Sequence, residues 1–169
     1  RLRYLVDRWG HCRNLLAWEL WVELDYCVDK KNPEELSAAR KDFLVPWALR
    51  TARELALLDR SRRLVTCSLA DAEVWPELAG APEIGLAESH LYLYMPEAGK
   101  DPVTERAAVT ATMNDLRKYG KPALISEYGF GADGGPKSVI NEADRLGVHL
   151  HNGLWLSAMG GQAGATALW

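Results

Sequence analysis

The chain has 169 residues, 48% of them hydrophobic, and a formal net charge of -3. That is long enough for one domain with its own core. The mildly acidic balance, without a basic stripe, argues against a nucleic-acid surface, and no apolar stretch is long enough to span a bilayer.

Residues 1–9 read as a helix, with Leu2, Leu5, Val6 and Trp9 at helical spacing and Gly10 as its stop. Residues 15–22 read as a strand with both faces apolar, as in a covered parallel sheet. Asn32-Pro33-Glu34-Glu35 is a helix start, and the helix should run to about Asp59. Pro46 inside it should kink or divide it. Arg60, Arg62 and Arg63 suit a helix C-terminus. Leu64–Leu69 is the next strand, followed by a loop containing Trp75, Pro76 and Pro82. Gly85–Leu93 is a third strand, carrying Glu88, His90 and Tyr92, with Tyr94 just beyond. Asp101-Pro102 caps another helix ending near Tyr119-Gly120. Residues 123–128 form a fourth strand, 138–158 a helical stretch and 163–169 a last strand. Strands alternating with helices predict a parallel α/β sheet with right-handed crossovers. The chain starts inside a helix and stops inside a strand, so further strands are expected in the complete protein.

Two carboxylates stand out. Glu23 closes the run from Leu15 and Glu127 closes Ala123-Leu124-Ile125-Ser126. A carboxylate is costly at the end of a buried strand unless it is compensated or used. In a (β/α)8 barrel the functional side chains sit at the C-terminal strand ends. Here those ends carry Glu23, Ser68, His90 with Tyr92, Glu127 and Trp169. Paired carboxylates with aromatic and imidazole neighbours are the constellation of glycoside hydrolysis. Glu19 shares a strand face with Glu23 and is the alternative acid/base, although its deeper position favours a structural hydrogen bond. The seven tryptophans fit both a core and the flat faces on which sugars stack.

Five segments in order resemble the C-terminal part of a clan A retaining glycoside hydrolase of the family 5 cellulase and mannanase kind. Arg3–Gly10 with Asn14–Glu23 resembles the fourth-strand region, Asp59–Ser68 the fifth, and Ser89-His90-Leu91-Tyr92 the sixth. Lys121-Pro122-Ala123-Leu124-Ile125-Ser126-Glu127-Tyr128-Gly129 resembles the seventh-strand nucleophile motif, and Gly164–Trp169 the eighth strand. The resemblance implies strands 4 to 8 of a partial (β/α)8 TIM barrel, with residues 1–169 forming the C-terminal portion of one catalytic domain and strands 1 to 3 expected in the complete protein. It implies a β-linked glycan or glycoside as substrate, a double-displacement mechanism and no cofactor or metal. Glu127 would be the nucleophile and Glu23 the acid/base. His90, Tyr92, Trp169 and Trp18 would meet the sugar, although Trp18 and Trp21 also suit a core. A polysaccharide-degrading parent of this type would be secreted or periplasmic, though no signal peptide is visible. In one respect the sequence departs from the family pattern. An asparagine that holds the sugar 2-hydroxyl is expected before the acid/base, and Val22 stands there. The alternative reading is therefore a catalytically impaired sugar-binding relative.

Three other signals carry less. Gly129-Phe130-Gly131-Ala132-Asp133-Gly134 matches a dinucleotide fingerprint, but no acidic residue follows Asp144 to hold a ribose. His149 and His151, two apart on a helix, point to different faces. Cys12, Cys27 and Cys67 lack metal-ligand spacing and read as free thiols.

Overall fold

A computed structural model describes residues 1–27, 33–70, 72–93, 104–130, 144–164 and 167–168. Asn32, Tyr94, Asp101, Pro102, loop residues 131–135 and Trp169, all singled out in the sequence, lie outside them.

The described elements run α1 (Leu2–Trp9), β1 (Ala17–Glu19), a short 3-10 turn (Leu24–Tyr26), α2 (Pro33–Leu58), β2 (Leu64–Thr66), α3 (Pro76–Ala79), β3 (Ala87–Leu93), α4 (Glu105–Arg117), β4 (Ala123–Phe130), α5 (Val148–Met159) and β5 (Ala167–Leu168). All strand pairs are parallel: β1 with β2, β3 with β4 and β4 with β5. Backbone bonds also join β2 to β3, with Gly85 N–H donating to Val65 at 2.9 Å and His90 N–H to Leu69 at 2.8 Å. Among the described residues the strands form open two- and three-stranded sheets, with no closed barrel.

Strand periodicity sorts the side chains. Val65, Cys67 and Leu69 join Leu44, Val45, Ala48, Ala52 and Leu55 of α2 in one core cluster. Ala87, Leu91, Leu93, Ala123, Ile125 and Tyr128 join Val109, Met113 and Leu116 of α4 in a second. The positions of opposite parity on β1 to β3 are largely polar: Glu19, Thr66, Ser68, Glu88, His90 and Tyr92. The helices therefore cover one face and leave a polar face for chemistry.

Several elements differ from their predicted bounds. The first strand is three residues long, because the chain leaves extended geometry before Glu23. Pro46 does not divide α2; a helix of 26 residues loses little of its ladder to one missing N–H while its apolar stripe stays packed. The segment after Trp75 forms α3, with Pro76 at its first position, where a missing N–H costs nothing. The described cap of α4 is Thr104, whose hydroxyl accepts from Ala107 N–H at 3.2 Å. The last described helix begins at Val148, after Gly147 in the left-handed region, and residues 138–143 of the expected helical stretch lie outside the described residues. The final strand is described for two residues. Among the described residues no helix is long and apolar enough to cross a membrane.

Candidate active site

Four side chains from three loop or strand positions converge on the polar face. His90 is almost fully buried. Its Nδ1 lies 3.0 Å from Glu23 Oε1 and 3.2 Å from Glu127 Oε2. The Tyr92 hydroxyl donates to Glu127 Oε2 at 2.5 Å. One oxygen of each glutamate and the His90 nitrogen lie within 4.8 Å of one another. The two carboxylate side chains keep 27% of their surface, so each still reaches solvent.

The backbone brings them there in two different ways. On β4 the register slips once: Ser89 faces Ile125, but His90 faces Glu127. The extra residue is Ser126, a bulge that turns the following side chain toward the polar face. Ile125 and Tyr128 can then both reach the helix-facing core while Glu127 stays on the polar face. Glu23 arrives by a turn. Its φ of 50° and ψ of 60° are left-handed, which is uncommon for a residue with a β-carbon. Its N–H donates to Ser68 Oγ at 3.0 Å, and Leu24 N–H donates to the Ser68 carbonyl at 3.0 Å.

Beneath these groups lies a second acidic layer. Ser68 Oγ donates to Glu19 Oε1 at 2.7 Å. Burial, and next the charge of Glu88, push the Glu19 carboxyl above the usual range, against the Ser68 hydrogen bond. Glu88 is buried, and its Oε2 has no hydrogen-bond partner among the described residues. The alternation of Glu88, His90 and Tyr92 along β3 was the sequence signal for this buried carboxylate. Nothing in the sequence signalled the bulge at Ser126.

Trp18 is not brought to this cluster. Its indole N–H donates to Asp59 at 2.9 Å and its ring packs against the α2 core, on the strand face opposite Glu19. Glu19 lies one layer below the Glu23–His90–Glu127 group rather than in it. All three cysteines are free, and burial pushes the Cys67 thiol up to about 12, which keeps it protonated and unreactive. His149 pairs with Glu105, and the His151 ring lies beside Trp155, so the two share no ligand site.

The arrangement offers two kinds of chemistry. Two solvent-reaching carboxylates flanking a buried imidazole can divide nucleophilic and acid/base work between them. The same Glu23, His90 and Glu127 atoms are also the donors that a divalent cation would use there. No protein-family model matches the chain, and no curated protein matches it.

Proposed function

We propose that this chain carries the active site of a retaining glycoside hydrolase acting on a β-linked glycan or glycoside, and that it forms the C-terminal portion of a (β/α)8 domain. The observation that carries the proposal is the close approach of Glu23 and Glu127, with oxygens inside 4.8 Å. Retaining enzymes keep their carboxyl groups about 5–5.5 Å apart, whereas inverting ones leave about 6.5–9.5 Å for a water. The clan A-like motifs around both glutamates support the same reading.

In this mechanism Glu127 attacks the anomeric carbon. The glycosidic C–O bond breaks as Glu23 gives its proton to the leaving oxygen. Water then attacks the glycosyl ester, Glu23 takes the water proton, and Glu127 leaves as a carboxylate. Tyr92 and His90 fix the attacking oxygen of Glu127. His90 Nδ1 sits between the two carboxyl groups, 3.0 Å from Glu23 Oε1 and 3.2 Å from Glu127 Oε2.

Glu127→Gln in the full-length protein should lower turnover of aryl and oligosaccharide β-glycosides by at least about 10³-fold. A 2-deoxy-2-fluoro glycoside should label Glu127, read by peptide mass spectrometry. Undiminished turnover, or label on another residue, would remove Glu127 from the nucleophile role.

Val22 favours a second reading, a sugar-binding relative with little turnover. Its side chain is half-exposed beside Glu23 and offers no hydrogen bond to a 2-hydroxyl.

A further inference from the structure

Glu23 holds its position against its own backbone preference. A glutamate gains nothing from the left-handed region, so its neighbours must over-determine it. Ser68 makes most of that case. It is fully buried, and it grips both sides of the turn: its hydroxyl accepts from Glu23 N–H, and its carbonyl accepts from Leu24 N–H. Leu24 is itself fully buried, and Asp25 Oδ1 accepts from Ala70 N–H at 3.0 Å, which clamps the turn further along.

The hydroxyl of Ser68 has one proton to give. That proton goes to Glu19 Oε1 at 2.7 Å, which leaves a lone pair directed at Glu23 N–H. Glu19 therefore orients Ser68, and Ser68 orients Glu23. The chain of contacts crosses from β1 to Ser68, two residues beyond β2, and back to the turn at Glu23.

We infer that Ser68, oriented by Glu19, is a positioning residue that holds Glu23 in the left-handed conformation in which its carboxylate meets His90. The kinetic part of this inference rests on Glu23 serving as the acid/base. The structural part does not.

The test uses Ser68→Ala, Ser68→Thr and Glu19→Ala in the full-length protein. General acid catalysis matters most when the leaving group is a poor one. Ser68→Ala should lower kcat/KM on an alkyl or oligosaccharide glycoside by about tenfold or more, and on an activated aryl glycoside by less than about threefold. Ser68→Thr, which keeps the hydroxyl, should restore most of the loss. Glu19→Ala removes the acceptor that orients the Ser68 hydroxyl and serves if Ser68→Ala does not fold; it should lose in the same leaving-group-dependent way. Equal losses on both substrates would reduce Ser68 to a packing role and overturn the inference. A crystal structure of the same variant decides the matter without activity. Residue 23 leaving the left-handed region and its carboxylate leaving His90 supports the inference; an unchanged φ with the Glu23–His90 contact intact sinks it. A wild-type protein that cleaves no glycoside would end the glycosidase proposal, while this structural arm still decides the role of Ser68.

Discussion

His90 stands opposite Glu127 across the β3–β4 ladder, one residue further along β4 than an unbroken register allows. An unbroken register would set Ser126 there, and a one-residue slip sends every later side chain to the opposite face. The carboxylate would then point into the α4 core and Tyr128 toward the site. The bulge is thus what makes Glu127 available to the buried imidazole and the Tyr92 hydroxyl.

Tyr92→Phe tests how far that availability depends on one hydrogen bond. The phenol donates to Glu127 Oε2, the oxygen that also faces His90. Hydrogen bonds to charged groups contribute about 1.5–3 kcal/mol, so kcat/KM for a β-glycoside should fall about 10- to 150-fold. The ring itself keeps its place beside His90, and water can replace the phenol at the part-exposed carboxylate, so stability in urea should fall by less than about 1.5 kcal/mol. A fall in stability with no change in kcat/KM would place Tyr92 in the scaffold instead of the site.

Val22→Asn tests the departure from the clan A pattern. The side chain is half-exposed, so an amide fits there without a buried polar cost. Hydrogen bonds to the sugar 2-hydroxyl strengthen in the transition state and supply several kcal/mol. A gain in kcat of about tenfold or more, with KM little changed, is expected for a degenerate enzyme. An unchanged kcat would mean that the residue before Glu23 does not face the 2-hydroxyl.

The sequence showed much of this arrangement because period-2 alternation is local. Along β3 the pattern separates Ala87, Leu91 and Leu93 from Glu88, His90 and Tyr92 without any knowledge of neighbours, and the structure keeps that separation. The motif around Glu127 likewise placed that glutamate on a strand, although β4 continues beyond it to Phe130. What the sequence hid depends on partners. The bulge at Ser126 arises from pairing with β3, and Val-Glu-Leu carries none of the glycine or asparagine that would announce a left-handed turn at Glu23. Trp18 was ambiguous for a related reason: a tryptophan next to a strand end serves core or site according to which face its strand turns inward, and here Asp59 takes its indole N–H.

Gly153→Ala tests how closely α5 presses on β4. Alanine is favoured over glycine inside a helix by about 1 kcal/mol. Here the new β-carbon would sit 2.9 Å from Tyr128 Cδ1 and 3.0 Å from Cε1. Tyr128 is 1% exposed and packed in the second core cluster, so its ring can move only by displacing neighbours. Overpacking of this kind costs about 1–3 kcal/mol, which outweighs the helix gain. Urea unfolding should show a net loss of about 1 kcal/mol. Because Tyr128 follows Glu127, kcat/KM should fall as well. A variant stabilised by the full helix-propensity gain would mean that the two elements are not in contact at this point.

Asp59 tests the electrostatics of the scaffold behind the site. It is buried, and it accepts from Trp18 Nε1, from Ser61 N–H at 2.9 Å and from Arg63 Nη1 at 3.0 Å. Burial alone would raise its carboxyl; the donors from Trp18, Ser61 and Arg63 outweigh burial and hold it below the usual aspartate range. Arg63 in turn donates to the carbonyls of Leu15 and Cys12, so the pair ties the segment before β1 to the end of α2. A carboxyl whose folded pKa is depressed adds stability that is fully present above its unfolded value, about 3.9. That stability is lost as pH falls through the lower folded value. Asp59→Asn should cost about 3 kcal/mol at pH 7, because it leaves a nearly buried guanidinium uncompensated. Urea unfolding followed from pH 7 downward should show the wild-type and Asn curves converging below about pH 4, since acid removes from the wild type the charge that the variant already lacks. A gap of constant size down to the acid limit would show that the ionised form of Asp59 contributes nothing to the fold.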